Sequence, residues 1–397
     1  MQSNINFNAL STRLVAYLEG IRTSDAYPYP LQKGAKGSMY GSCFAALTAE
    51  LLNVKLPDAD SIKSLLYSHL DKNTGLVVNQ ELCDEKFPPT RSHNELYLEL
   101  QTTYFARSAL YALGETGLPV VTFAYDLAKN NQVYQWLNDL DWSNPWLVSN
   151  LDMFLGIFLL EHQASAPDDD NIKKGLDEYY RWHDEHQSEI DGFWGSNPDL
   201  LERMAGGYHI YVIYDAINRK IPLLDEAVTA TKSLIWDDLL YVYGGGGGSC
   251  EDMDAIDILV RGYLNNPNKH TDLPDNLVVT AERLAYAINA DGGYSWRLPT
   301  KLSWIIHLFK QGKIKPIVGA LKTLAFKLKN RSHYNSTHLY SSCEAYPFKI
   351  DESDTWSCWF RASAIAMIAQ ALPERFENEC TWLLHNRPGL GNNPVKK

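Results

Sequence analysis

Two kinds of helical segment alternate along this 397-residue chain, and few folds accept that pattern. Polar, amphipathic segments lie at about 7–20, 59–70, 117–137, 169–187, 224–238 and 276–289. Between them come segments rich in small residues and apolar nearly all round. These lie at about 38–53, 94–113, 146–163, 250–264 and 354–371, with one more opening on Arg203-Met-Ala-Gly-Gly-Tyr-His-Ile-Tyr211. A helix apolar on every side is buried. Six polar and six buried helices in alternation predict six helical hairpins closed into a ring, with the buried helices as inner wall. Alternating strand patterns are hard to find. The expectation is an all-α fold: one (α/α)6 toroid over residues 1–397, with a basic amphipathic insertion at 297–331.

Composition narrows the class further. The chain is 45% hydrophobic and 12% aromatic, with 11 Trp and 23 Tyr, so such a wall has many large rings to present. A net charge of −12 argues against general nucleic-acid binding. Met1-Gln-Ser-Asn-Ile-Asn-Phe7 lacks the basic and apolar regions of a secretory signal. No apolar run reaches the length of a membrane span. The six cysteines (Cys43, Cys83, Cys250, Cys343, Cys358 and Cys380) are scattered, with no close pair suited to zinc or redox work. These features predict a reduced, cytoplasmic protein.

The stretch Gly244-Gly-Gly-Gly-Gly-Ser-Cys-Glu-Asp-Met-Asp-Ala-Ile-Asp257 sets five glycines and four carboxylates at the mouth of one inner helix. Ser249 is the expected N-cap, with Asp252 in capping-box position. Glu251, Asp254 and Asp257 are spaced by three and share one side of the helix. Acidic residues in a first turn ordinarily complement the helix dipole, and Asp257 is placed to pair with Arg261. Crowded carboxylates in a closed cavity cannot all ionise, however, and one that keeps its proton at neutral pH is a strong acid toward substrate. Asp254 is the candidate for that role, with Asp252 and Glu251 as the carboxylates that tune it.

In a ring of hairpins the N-terminal ends of the inner helices gather round one mouth. The candidate substrate-binding residues collected there are Tyr40, Gln101, Tyr104, Trp146, Asn150, Tyr208, His209, Trp356 and Trp359. An aromatic residue at an inner position is more often core than site; coincidence with the acidic helix is what singles these out. The turns at Asp191-Gly-Phe-Trp-Gly195 and Asp291-Gly-Gly-Tyr-Ser-Trp296 read as structural reversals. His183 and His186 have ligand-like spacing but sit on a polar outer segment, where a solvated face is expected.

Between Arg297 and Arg331 lie nine Lys or Arg and no Asp or Glu. Leu302, Ile305, Ile306 and Phe309 form one apolar stripe, and Ile317, Leu321, Leu324 and Leu328 another. Two short basic amphipathic helices broken at Pro316 are expected. Such helices lie in a membrane interface and favour anionic lipid; the competing expectation is that they pack on the acidic body of their own chain.

An aromatic cavity, an acid at an inner helix mouth and an apolar basic flank together resemble class II terpene cyclases. Asp252-Met-Asp254-Ala255 lies over that family's Asp-x-Asp-Asp motif, with Ala255 in place of the last Asp. Leu284-Ala-Tyr-Ala-Ile-Asn-Ala-Asp-Gly-Gly-Tyr-Ser-Trp296 resembles the Gln- and Trp-containing repeat of squalene cyclases, without its Gln. In length the chain is similar to the single-domain bacterial cyclases of meroterpenoids. The resemblance implies a toroidal catalytic domain in which Asp254 protonates a terminal alkene or epoxide of a lipophilic, prenylated substrate. The carbocation then closes rings against Trp and Tyr faces, with no metal and no cofactor. Two other chemistries fit a helical toroid. A carbohydrate-active enzyme would pair Asp254 with Asp354 or Asp191 across the cavity, and a protein prenyltransferase-like subunit would hold zinc on Asp254, Cys250 and His209. A toroid that only binds a partner in its cavity would carry no perturbed acid.

Overall fold

The computed structural model describes residues 2–78, 95–331, 338–339 and 347–396. The fold is all-α apart from two pairs of two-residue strands, Tyr294–Ser295 with Ser353–Asp354 and His338–Leu339 with Pro347–Phe348. The small-residue segments form α2 (Met39–Leu51), α4 (Glu95–Ala112), α7 (Pro145–Ser165), α9 (Leu200–Ala216), α11 (Ser249–Asn265) and α15 (Thr355–Ala371). The polar ones form α1 (Phe7–Ile21), α3 (Ala59–His69), α5 (Thr122–Lys129), α6 (Val133–Asn138), α8 (Asp170–His186), α10 (Leu224–Ser233) and α12 (Leu273–Ala287). The insertion forms α13 (Leu302–Lys310) and α14 (Ile314–Lys329).

Packing follows from this division. α2 packs on α4, α4 on α7, α7 on α9, α9 on α11, α11 on α15, and α15 back on α2. The six small-residue helices thus make a closed sequence of contacts. Outside it, α3 touches α2 and α4, α8 touches α7, α10 touches α9 and α11, and α12 touches α11 and α15. Every residue from Thr355 to Ala369 of α15 is buried, and so is every residue from Val148 to Leu160 of α7. On α8, by contrast, burial is confined to one stripe, Ile172, Gly175, Leu176, Tyr179, Tyr180, Trp182 and His183, as an outer amphipathic helix demands. Small residues let the inner helices close up: a Cβ on Gly156 of α7 would sit 3.0 Å from Tyr179 and 3.1 Å from Ile213.

Several expectations are corrected in detail. The segment at 117–137 is two helices, α5 and α6, parted where Asn131 takes a left-handed φ of 54°. The segment at 7–20 runs one residue further, to Ile21. The insertion breaks at Gly312, with φ of 70°, and not at Pro316. That proline sits in the first turn of α14, where its missing N–H leaves no hydrogen bond unmade. His183 is not on a solvated face. It is wholly buried between Asp152 Oδ2 at 2.7 Å and the Tyr179 carbonyl at 2.7 Å, a structural link from α8 to α7. Cys43, Cys250, Cys358 and Cys380 are free thiols, whereas Cys83 and Cys343 lie outside the described residues. No described helix is long and apolar enough to cross a membrane.

Candidate functional site

The glycine run before α11 is needed because four successive residues, Gly244 to Gly247, all have φ between 63° and 90°. Side chains also close on it: a Cβ on Gly247 would lie 1.9 Å from Asp252 Oδ2. The loop is held by Asp238, whose Oδ2 accepts from Gly246 N at 2.7 Å. Ser249 is not the cap. Gly248 occupies that position without a side-chain bond, and the Ser249 hydroxyl is buried without a partner among the described residues.

The four carboxylates that follow are separated by their partners. Asp252 is turned away from the capping role: its Oδ1 accepts from Tyr241 N at 2.8 Å and its Oδ2 from the Arg361 guanidinium, both side chains being fully buried. Asp257 is paired with Arg261, as its spacing predicts. Glu251 Oε2 accepts from the Cys250 thiol at 3.2 Å. Asp254 is left over. It is buried, and its Oδ2 has no hydrogen-bonding partner among the described residues. Burial, then the charges of Glu251, Asp257 and Asp252, hold its carboxyl well above the usual range, which favours the protonated form. Asp254 lies past the free N–H groups of the first turn, where the helix dipole that favours the anion has faded.

Asp254 opens on a small cavity of about 40 Å³. Four inner helices contribute to its wall in pairs four residues apart: Gln101 and Phe105, Trp146 and Asn150, Cys250 and Asp254, Trp356 and Phe360. Tyr97 extends the first pair by one more turn, and His209, Trp296 and Leu390 complete the lining. Among the predicted residues, then, Gln101, Trp146, Asn150, His209, Asp254 and Trp356 are brought together. Tyr40, Tyr104, Tyr208, Trp359, Asp252 and Glu251 are not on the wall. Tyr40 packs at 5.5 Å on Phe105, behind it. The hydroxyls of Tyr104 and Tyr208 accept from Leu390 N and Gly391 N at 2.8 and 3.0 Å, and Trp359 packs on Gly391. These residues tie the C-terminal segment across the end of the inner helices.

Ser149 Oγ lies 3.0 Å from the Trp146 carbonyl and 2.9 Å from His209 Nδ1. In the arrangement where Ser149 donates to that carbonyl, it accepts from Nδ1–H, and Nε2 carries the lone pair. Burial pulls this imidazole down to about 3, and it is neutral at working pH. The cavity therefore sets a carboxyl with raised pKa, Asp254, and a neutral imidazole, His209, among aromatic faces.

Neither alternative pairing forms. Asp354 caps α15, accepting from Ser357 N at 2.6 Å, and Asp191 is bound to Arg203 at 2.6 Å; neither lines the cavity beside Asp254. Cys250, Asp254 and His209 do share the wall, yet among the described residues no three His, Cys, Asp or Glu groups converge to hold a metal ion. No protein-family model matches the chain, and no curated protein is similar to it.

Proposed function

We propose that this chain is a class II-type terpene cyclase, acting on a lipophilic prenylated substrate. The observation that carries the reading is the Asp254 carboxyl, buried with its Oδ2 unpartnered among the described residues, in a cavity walled by Trp146, Trp296, Trp356, Tyr97, Phe105 and Phe360. A neutral carboxylic acid carries a proton that it can donate, here among aromatic faces. It can deliver a proton to an alkene that water cannot reach.

The chemistry balances without a cofactor. The Asp254 O–H adds its proton to the terminal carbon of an alkene, leaving a tertiary cation and the Asp254 carboxylate. Internal double bonds attack in turn as rings close, and the aromatic faces stabilise the moving charge through their quadrupoles. Loss of a C–H proton to His209 Nε2 ends the cascade as a new alkene. Proton gained equals proton lost, so the product is an isomer of the substrate. At about 40 Å³ the cavity holds water-sized groups only, so a prenyl chain binds by turning lining rings aside.

The test is incubation of purified protein with geranylgeranyl-substituted dihydroxybenzoate and with squalene, read by mass spectrometry and NMR. A cyclised product of unchanged mass is expected from wild type and not from Asp254→Asn. His209→Ala is expected to shift product toward a water-quenched alcohol. Equal product from Asp254→Asn would remove the acid role, and no turnover of either prenylated substrate by folded protein would count against the cyclase reading.

A further inference from the structure

The insertion holds nine of the chain's 36 Lys and Arg and none of its 48 Asp and Glu. Its two helices pack side by side, and each has one face against the body. Trp304, Leu308 and Ala320 form a small core with Val279 of α12, and Thr323 donates to Asp238 at 3.2 Å. Among the described residues the opposite faces have no such cover. On α13, Leu302 and Phe309 are 70% and 78% exposed. On α14, Ile314, Leu321 and Leu328 recur at heptad spacing, at 74%, 52% and 65% exposed. Lys310, Lys315, Lys329 and Arg331 flank this row, exposed and in no ion pair among the described residues.

We propose that this outer face docks on an anionic lipid bilayer. Charge decides between occupants. A second copy meeting the same face would bring two unneutralised basic rims together. Nucleic acid would leave the apolar row uncovered and meet an acidic body. A bilayer with anionic headgroups takes the apolar side chains into its acyl boundary and the lysines at its surface.

The face is also joined to the acid. A Cβ on Gly245 would lie 2.0 Å from Thr323 Oγ, and one on Gly244 2.6 Å from the Phe326 ring. Leu298 N donates to the Gly246 carbonyl at 2.8 Å. The inner face of α14 therefore buttresses the loop that leads into α11. Docking sets the lipid against the end of the molecule at which Asp254 lies, where a substrate dissolved in the bilayer is delivered.

The experiment is flotation of the full chain with phosphatidylcholine vesicles, with and without phosphatidylglycerol, at low and high salt. Binding is expected to the anionic vesicles, weakened by salt and at least tenfold lower on phosphatidylcholine alone. Lys315→Glu with Lys329→Glu is expected to weaken it by roughly fivefold or more per lysine. Phe309→Ser with Leu328→Ser is expected to abolish it. All four side chains are exposed, so melting temperatures should hold and a folding defect cannot mimic the result. Wild-type protein that stays off anionic vesicles would overturn the proposal, as would charge-reversed protein that binds like wild type. A dimer in solution that Phe309→Ser dissociates would assign the face to a second copy. Vesicle binding needs no turnover, so its outcome is independent of the cyclase reading.

Discussion

At the residue scale, the chemistry of α11 is decided by who neutralises whom. Asp252 and Asp257 each hold a buried arginine, Arg361 and Arg261, and Asp254 holds none. Its raised folded pKa makes stability depend on pH with a definite sign. Below the ordinary aspartate range both folded and unfolded chains carry the proton, and the contribution is whole. As pH climbs toward the folded pKa, the unfolded chain releases that proton and the folded chain does not. Stability then falls, by at most about 1.4 kcal/mol per pH unit from this one group. Asp254→Asn has no proton to lose. It should melt at or above wild type, and its advantage should widen as pH rises from acid to neutral. Thermal unfolding of both proteins across that range checks this; parallel curves would mean that Asp254 is ionised in the folded chain. Activity should follow the same group, falling as pH rises through its folded pKa. The acidic cluster was legible in the sequence, from four carboxylates in seven residues at the start of a buried helix. Which of them lacked a cation was not, because Arg361 lies more than a hundred residues away in the chain.

At the scale of elements, helical phase decides what reaches the cavity. Gln101 and Trp356 are on the wall, and so are Phe105 and Phe360, four residues on from each. Tyr104 and Trp359, three residues on, turn to the C-terminal segment. Nearness in sequence suggested Tyr104 and Trp359; strict spacing of four would have found Tyr97, Phe105 and Phe360 instead. The alternation of polar and small-residue helices, being a property of whole faces, was readable throughout. The tie between α11 and α15 was not. It rests on Asp252 and Arg361, both with 0% side-chain exposure. Arg361→Leu leaves a buried carboxylate without its cation and should cost about 3–5 kcal/mol. Adding Asp252→Asn should return a measurable part of that loss, because the second change removes the stranded charge. Denaturant unfolding of the two single variants and the double variant gives the coupling. Strict additivity would show that the pair does not hold the helices together.

At the scale of the whole molecule, a ring of helices has two ends, and the far one is closed by chain that carries no helical signal. Residues 385–396 are rich in Gly, Pro and Asn and read as a loop, yet Leu390 and Asn392 are buried. Backbone N–H groups of Leu390 and Gly391 meet the tyrosines of α4 and α9, and Asn392 Oδ1 accepts from Arg261 at 2.6 Å. A barrel of wholly buried helices cannot leave its end open to water, and only glycine backbone fits so close to those rings. Gly391, with φ of 72°, lies where a Cβ would be 2.8 Å from Trp359. Leu390 is the one residue of this segment on the cavity wall, and under the cyclase proposal it would seal the floor beneath the reacting chain. Leu390→Ala should lower stability by about 2–5 kcal/mol, as removal of a buried leucine does. It should also admit water to the cation, converting part of the alkene product to alcohol while substrate is still consumed. Product mass reports this directly, as the gain of one water. Alkene alone from a destabilised Leu390→Ala protein would mean that the segment supports the fold without guarding the chemistry.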